Sequence, residues 1–250
     1  MKVKCLLLTG LMICINIIVL AQALSRESLD VAPTRLFEPE PRVVIPGTSL
    51  GQAPSDAIIL FDGKNLNQWT THDDKEPKWE LKNGILTVVK GIGSIFTKQK
   101  FGDVQLHIEW RAPSAVTNSG QERGNSGVYL QQRYELQVLD NYENKTYVNG
   151  QAGSLYKQSV PLVNANRKPG EWQAYDIVYT APRFSDRGTL IIPGYMTVFL
   201  NGILIQNHFA LWGPTEEHGL PVYTPHGKES LMLQEHGDAV SYRNIWVREL

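Results

Sequence analysis

No stretch of this chain carries an apolar stripe at helical spacing for three turns, and that constrains its fold more than any single motif. Short runs with a two-residue period recur instead. Val104, Leu106, Ile108 and Trp110 alternate with Gln105, His107, Glu109 and Arg111. Tyr134, Leu136 and Val138 alternate with Glu135 and Gln137. Asn83-Gly84 and Asn201-Gly202 each stand between apolar runs, a strong hairpin signal because the favoured two-residue turns need positive φ. Strands are expected over 57–61, 79–81 with 85–89, 94–97, 104–110, 171–179, 196–200 with 203–205, 231–234 and 244–248. Residues 127–140 would make a very long single strand, so a tight turn or bulge near Gln131-Gln132 is expected to divide it in two. Many short strands and no helix point to an all-β fold, a β-sandwich rather than a closed barrel.

The N-terminus reads as an export signal. Lys2 and Lys4 precede a nearly continuous apolar run from Cys5 to Leu20, and Ala21-Gln22-Ala23 is a small-x-small cleavage site. Asn16 inside the run and the fitting cleavage site favour removal over retention as a membrane anchor, so no membrane span is expected after processing. Bulky residues before Cys14 make it a poor lipid-attachment site. The expected location is periplasmic, cell-surface or secreted. Both cysteines of the chain, Cys5 and Cys14, fall in this segment. The mature protein therefore holds no thiol nucleophile and no thiolate metal site. Residues 24–55, interrupted by five prolines, read as a linker, with one domain over 56–250.

With 24 Lys+Arg against 25 Asp+Glu there is no basic excess, and nucleic acid is excluded as a partner. The serine-hydrolase elbow, the phosphate-binding loop and the dinucleotide fingerprint are all missing, as are His-Glu-x-x-His and the twelve-residue calcium loop. No cofactor is required by these patterns; a divalent cation held by loop acids such as Asp140 and Glu143 stays open.

Chemistry concentrates between Asn125 and Asp140. The polar side of this stretch carries Arg133, Glu135 and Gln137, with Tyr129 and Gln131 upstream, where sandwich strands ordinarily show Thr, Ser and Lys. Such side chains hold sugar hydroxyls and move protons, although the pattern also fits a solvated sheet face. Glu135 and Gln137 share a face; Asp140 joins them only if a bulge re-aims it. A carboxylate pair suits sugar chemistry, one ionised as base and the other protonated as acid. His236, between Glu235 and Asp238, is placed to move a proton near neutral pH, or else is a turn histidine bonded to a local carbonyl. Residues 141–166 read as a long functional loop. Trp110, Trp172 and Trp246 are expected in the core, whereas Trp69, Trp79 and Trp212 lie nearer loops.

Several phrases occur in a characteristic order: Leu60-Phe-Asp-Gly-Lys64, Asn125-Ser-Gly127, Tyr134-Glu-x-Gln-x-x-Asp140, Pro169-Gly-Glu-Trp172, Asn201-Gly202, Leu233-Gln-x-His-Gly237 and Tyr242-Arg-Asn-Ile245. Together they resemble the bacterial 3-keto-disaccharide hydrolase family, whose members are also described as 3-keto-glucoside 1,2-lyases and 3-keto-2-hydroxyglucal hydratases. The resemblance implies a concanavalin A-like jelly-roll sandwich and a glycoside or oligosaccharide substrate already oxidised at C3. It implies C2 proton abstraction, loss of the C1 substituent and hydration of the resulting glucal. On that reading Glu135 or Asp140 is the base and His236 the acid or enolate donor. Arg133 and Gln137 hold hydroxyls and developing charge, and Asn125, Tyr156 and Gln234 bind substrate. Two alternatives remain. One is a glucanase of the same fold, for Glu135-x-Gln137-x-x-Asp140 has the spacing of a known Glu-x-Asp-x-x-Glu strand. The other is a non-catalytic sugar-binding module.

Overall fold

The computed structural model describes residues 39–250. The proposed export signal, both cysteines and the first part of the expected linker lie outside the described residues. The segment Val44–Leu250 is one compact unit, so residues 44–55, expected as linker, are built into it. The backbone nitrogen of Ser55 donates to the Ile45 carbonyl at 2.9 Å, and the Gly51 carbonyl accepts from Asn244 Nδ2 at 2.8 Å and Trp246 Nε1 at 2.9 Å.

Strands dominate, as the two-residue period requires. In chain order they begin with β1 (Ile58–Phe61), β2 (Trp69–Thr70), β3 (Glu80–Lys82), β4 (Ile85–Thr87) and β5 (Ile95–Phe101). Then come β6 (Val104–Arg111), β7 (Ser126–Leu130), β8 (Tyr134–Val138), β9 (Gln173–Thr180) and β10 (Arg183–Phe184). The last are β11 (Leu190–Ile192), β12 (Tyr195–Leu200), β13 (Ile203–Ala210), β14 (Glu229–Leu233) and β15 (Ser241–Glu249). Two antiparallel sheets form a jelly-roll sandwich. One runs β13-β12-β9-β6-β15-β4-β3 with β1 also on β15, and the other runs β2-β5-β14-β7-β8. The β10–β11 pair stands apart and was not signalled by any sequence pattern.

Both Asn-Gly hairpins form, with Asn83 at φ 53° and Asn201 at φ 54°. Gln131 and Gln132 adopt φ 52° and 57° and turn β7 into β8, dividing the long run where a turn was expected. Inward faces of both sheets fill the core: Val104, Leu106, Ile108 and Trp110 from β6 meet Tyr134, Leu136 and Val138 from β8. Three core phenols bind the five-stranded sheet from beneath. Tyr175 donates to the Gln137 carbonyl at 2.8 Å, Tyr179 to Gln131 Oε1 at 2.7 Å, and Tyr242 shares a hydrogen bond of 2.6 Å with Ser126. Buried polar atoms need partners, and these bonds fix the positions of β7 and β8.

The tryptophans depart in part from expectation. Trp69, in β2 rather than a loop, and Trp79 are both buried, their indoles donating to the Leu60 and Gly93 carbonyls. Trp172 lies outside the core cluster; its ring is held between the guanidinium groups of Arg111 at 4.7 Å and Arg243 at 4.1 Å. Trp212 is 55 % exposed. No helix among the described residues is long and apolar enough to cross a membrane.

Candidate active site

The outer face of the five-stranded sheet, away from the core, carries a polar cleft of about 180 Å³. Cross-strand register assembles it. Tyr129 on β7 lies opposite Glu135 on β8, and Gly127 opposite Gln137. The long loop after β8 returns as a further edge: Leu155 pairs with Leu136, and the Tyr156 backbone nitrogen donates to the Glu135 carbonyl at 3.2 Å. Neighbouring side chains across an antiparallel pair share a face. Tyr129, Glu135 and Tyr156 therefore form one row. Gln234, whose backbone nitrogen reaches the Gly127 carbonyl at 2.9 Å, forms a second row with Gly127 and Gln137. Asn125 and the exposed His236 close one end, and Thr215 and Glu217 the other.

Gly127 makes the space. A Cβ built there would stand 2.6 Å from Glu135 Oε1 and 2.9 Å from the Tyr129 ring, so any side chain would fill the floor. The two glutamines flanking it each leave Oε1 buried without a partner. Gln137 is 1 % exposed and directs its Nε2 to Gln121 Oε1 at 3.1 Å, which orients the amide. Gln234 Nε2 donates to the Tyr129 hydroxyl at 3.3 Å. Two unpaired acceptors in one cleft invite the hydroxyl donors of a ligand.

Glu135 is the central group. It is 4 % exposed, and burial pushes its carboxyl up to about 7, with the Tyr129 hydroxyl pulling back in part. Its backbone nitrogen donates to Thr215 Oγ1 at 2.9 Å, fixing the strand beneath it. The Tyr129 and Tyr156 phenols are pushed up, in both cases chiefly by burial, so both are neutral hydroxyls near neutral pH. Among the described residues no cluster of three His, Cys, Asp or Glu side chains is placed to hold a metal.

Of the eight residues singled out in the sequence, six line this cleft: Asn125, Glu135, Gln137, Tyr156, Gln234 and His236. Two do not. Asp140 is 4 % exposed, its Oδ2 bound by Arg123 Nε at 2.7 Å and its Oδ1 by the Tyr142 backbone nitrogen at 3.0 Å. β8 ends at Val138, and Leu139 turns into the core beside it. The alternation that would count Asp140 on either face therefore stops before reaching it. Arg133 leaves the cleft for a bidentate ion pair with Glu229, at 2.8 and 2.9 Å, because it belongs to the turn rather than to β8. Tyr129, Thr215 and Glu217 are cleft residues that the sequence did not single out as site residues. Parity across the hairpin would have found Tyr129; Thr215 and Glu217 arrive from a loop with no local signal.

A larger cavity, about 610 Å³, lies at the end of the sandwich by Gln131, Phe184 and His226. Its charged side chains pair with one another, Arg183 with Asp103 and Lys228 with Glu249.

Fold and cleft together define a β-sandwich whose outer sheet holds one buried carboxyl group among amides and phenols. The chain belongs to the 3-keto-alpha-glucoside-1,2-lyase-like domain family, whose pattern matches residues 56–248. A 3-keto-disaccharide hydrolase of Bacteroides thetaiotaomicron is 28 % identical over 244 residues, covering 80 % of this chain and 81 % of that protein. A crystal structure of a candidate glycosyl hydrolase from Parabacteroides distasonis is 52 % identical. It superposes with a TM-score of 0.84 and covers 87 % of this chain and 95 % of its own. A second such structure from that organism, 20 % identical with a TM-score of 0.56, shares the fold.

Proposed function

We propose that this chain hydrolyses 3-keto-glycosides by abstraction of the C2 proton, elimination at C1 and rehydration of the glucal, with Glu135 as the base. The observation that carries this is the one buried carboxyl group of a polar cleft, raised to about 7 by burial, with the cleft's second carboxylate, Glu217, exposed at its end. A base poised near neutral pH matches removal of a proton made acidic by an adjacent ketone. Gln137 and Gln234 accept hydrogen bonds from the ring hydroxyls through their unpaired Oε1 atoms, and Asn125 bounds the ring. His236, at the rim, donates to the oxygen of the C3 enolate as charge develops there. Among the described residues no Lys or Arg lines the cleft, which favours a neutral sugar over a uronate. The family and the Bacteroides relative support the same substrate class.

A retaining glucanase mechanism needs a second carboxylate about 5–5.5 Å from the first. Asp140, engaged by Arg123, does not supply one, and Glu217, the other carboxylate of the cleft, sits exposed on a loop at its end rather than on the sheet beside Glu135. The test pairs Glu135→Gln with Asp140→Asn on a 3-keto-glucoside and on its unoxidised parent. Glu135→Gln is expected to lose about 10²–10⁴-fold in kcat on the keto substrate. Asp140→Asn is expected to keep kcat within about threefold while losing roughly 2 kcal/mol of stability. Full activity in Glu135→Gln, or cleavage of the parent glucoside at a comparable rate, would sink the assignment.

A further inference from the structure

The surroundings of Tyr156 go beyond what holding a hydroxyl requires. Its own hydroxyl meets that of Tyr147 at 2.5 Å, and Tyr147 is 38 % exposed, so the pair runs from the cleft to solvent. The Lys157 ammonium stands 4.1 Å from the Tyr147 ring centroid and 5.4 Å from that of Tyr156. A cation over a phenol face favours the ring when it carries negative charge. Holding this arrangement is costly locally. Lys157 adopts φ 65°, a left-handed conformation worth about 1–2 kcal/mol against a residue with a Cβ. Reciprocal bonds secure it: the Lys157 nitrogen donates to the Asn149 carbonyl at 2.9 Å, and Asn149 Nδ2 returns to the Lys157 carbonyl at 3.3 Å. The Tyr147 ring lies directly on Gly150, where a Cβ would fall 1.9 Å from Cε2. Three separate local constraints hold the Lys157 ammonium over two phenols, of which Tyr156 shares a row with Glu135.

We propose that Tyr156 is the acid that protonates the departing glycosidic oxygen and is reprotonated from solvent through Tyr147, with Lys157 stabilising the transient phenolate. This rests on the reading of Glu135 as the C2 base. Glu135 and Tyr156 are neighbours across adjacent strands, a spacing of about 4.7–4.9 Å between backbones, which suits two groups serving adjacent ring carbons. Glu135 takes the C2 proton, and the C–H electrons form the enolate with the C3 oxygen. Collapse of the enolate restores the ketone, makes the C1–C2 double bond and sends the C1–O electron pair onto the departing oxygen. Tyr156 gives that oxygen its proton. The Tyr147 proton then moves to Tyr156, water replaces it, and Glu135 releases its proton to solvent. Substrate becomes an alcohol and a 3-keto-2-hydroxyglucal, with no proton or electron unaccounted for.

Leaving-group acidity separates this role from binding. Wild type, Tyr156→Phe and Tyr147→Phe are assayed on methyl and 4-nitrophenyl 3-keto-glucosides, while NMR follows exchange of the C2 hydrogen in D₂O. A nitrophenolate departs without help; a methoxide does not. Tyr156→Phe is expected to lose about 10²–10³-fold on the methyl substrate and less than about tenfold on the nitrophenyl one, with C2 exchange retained. Tyr147→Phe shows the same selectivity at smaller magnitude. Equal losses on both substrates, lost C2 exchange in Tyr156→Phe, or an undiminished methyl rate would overturn the proposal. Exchange and release by the wild type test the Glu135 reading separately: if neither occurs, that reading fails first.

Discussion

The outer faces of the two sheets look alike in the sequence and behave oppositely in the fold. On the eight-stranded sheet, β6 presents Gln105, His107 and Glu109, and each side chain has a bonded partner, although His107 Nε2 itself meets Glu109 only at 3.8 Å. His107 Nδ1 meets Asp176 Oδ1 at 2.6 Å and its ring stacks on Trp246 at 5.3 Å. Glu109 takes Arg243 Nε at 2.6 Å and Asn244 Nδ2 at 2.8 Å, while Arg248 bridges Asp56 and Gln105. On the five-stranded sheet, Glu135 is buried with no cation beside it and two glutamines keep unpaired oxygens. Polar groups tied to charged partners hold a sheet together; unpaired acceptors that face a cleft are available to a ligand. Pairing, rather than residue type, separates a structural face from a reactive one.

The largest test of that contrast is thermodynamic. The Glu135 carboxyl, at about 7 in the fold against an ordinary 4.5, is stabilised in its neutral form. Its raised value adds stability fully below pH 4.5 that is lost as pH rises through 7. Glu135→Gln removes the buried charge, so it should be more stable than wild type by about 3 kcal/mol above pH 7 and equal to it near pH 4. Urea denaturation at pH 4, 6 and 8 reads this directly. A variant less stable at pH 8 would contradict the lone buried carboxylate.

His107 should show the opposite sensitivity to mutation. Burial alone would lower its value; the carboxylates of Asp176 and Glu109 overcome that and raise it to about 9. At 3.8 Å the contact with Glu109 is charge attraction rather than a hydrogen bond. The imidazolium stabilises the fold fully below pH 6.5, and the contribution disappears as pH rises through 9. His107→Ala is expected to cost about 2 kcal/mol at pH 6 and less at pH 9.5, with kcat unchanged. The cost falls short of a fully buried pair because the Asp176 side chain is 44 % exposed and stays hydrated. A loss of activity matching the loss of stability would break the distinction between the faces.

The smallest expected effect lies at Gln137. Replacing it with Leu removes an unpaired acceptor together with the Nε2 donor to Gln121 Oε1, so stability should fall by about 1 kcal/mol. Turnover should suffer more, about tenfold in kcat/KM, or about 1.4 kcal/mol of transition-state stabilisation. Equal kinetics in the variant would mean the free oxygen meets no substrate.

The sandwich was legible because its signals are local. Asn83-Gly84 and Asn201-Gly202 specify turns by their own φ preferences, and the β6 and β8 alternations specify their buried sides. The polar quality of the Glu135–Gln137 face was legible for the same reason. What stayed hidden depends on register between distant segments. Nothing within residues 153–156 announces that they will pair beside β8 and bring Tyr156 to Glu135. Asp140 was misleading because counting along a strand fails one residue after the strand ends. Arg133 looked like a binding group until Glu229, far along the chain, met it. His107 and Glu135 were indistinguishable in kind, since their difference rests on Asp176, Trp246 and Arg243.

The Gly51 carbonyl, tied to Asn244 and Trp246, pins the first residues of the domain to β15. Residues 44–55 lie against the eight-stranded sheet, and the cleft opens on the other. The segment 44–55 and the cleft thus occupy opposite faces of the sandwich, so that the chain's own packing takes up one face and leaves the other to a ligand.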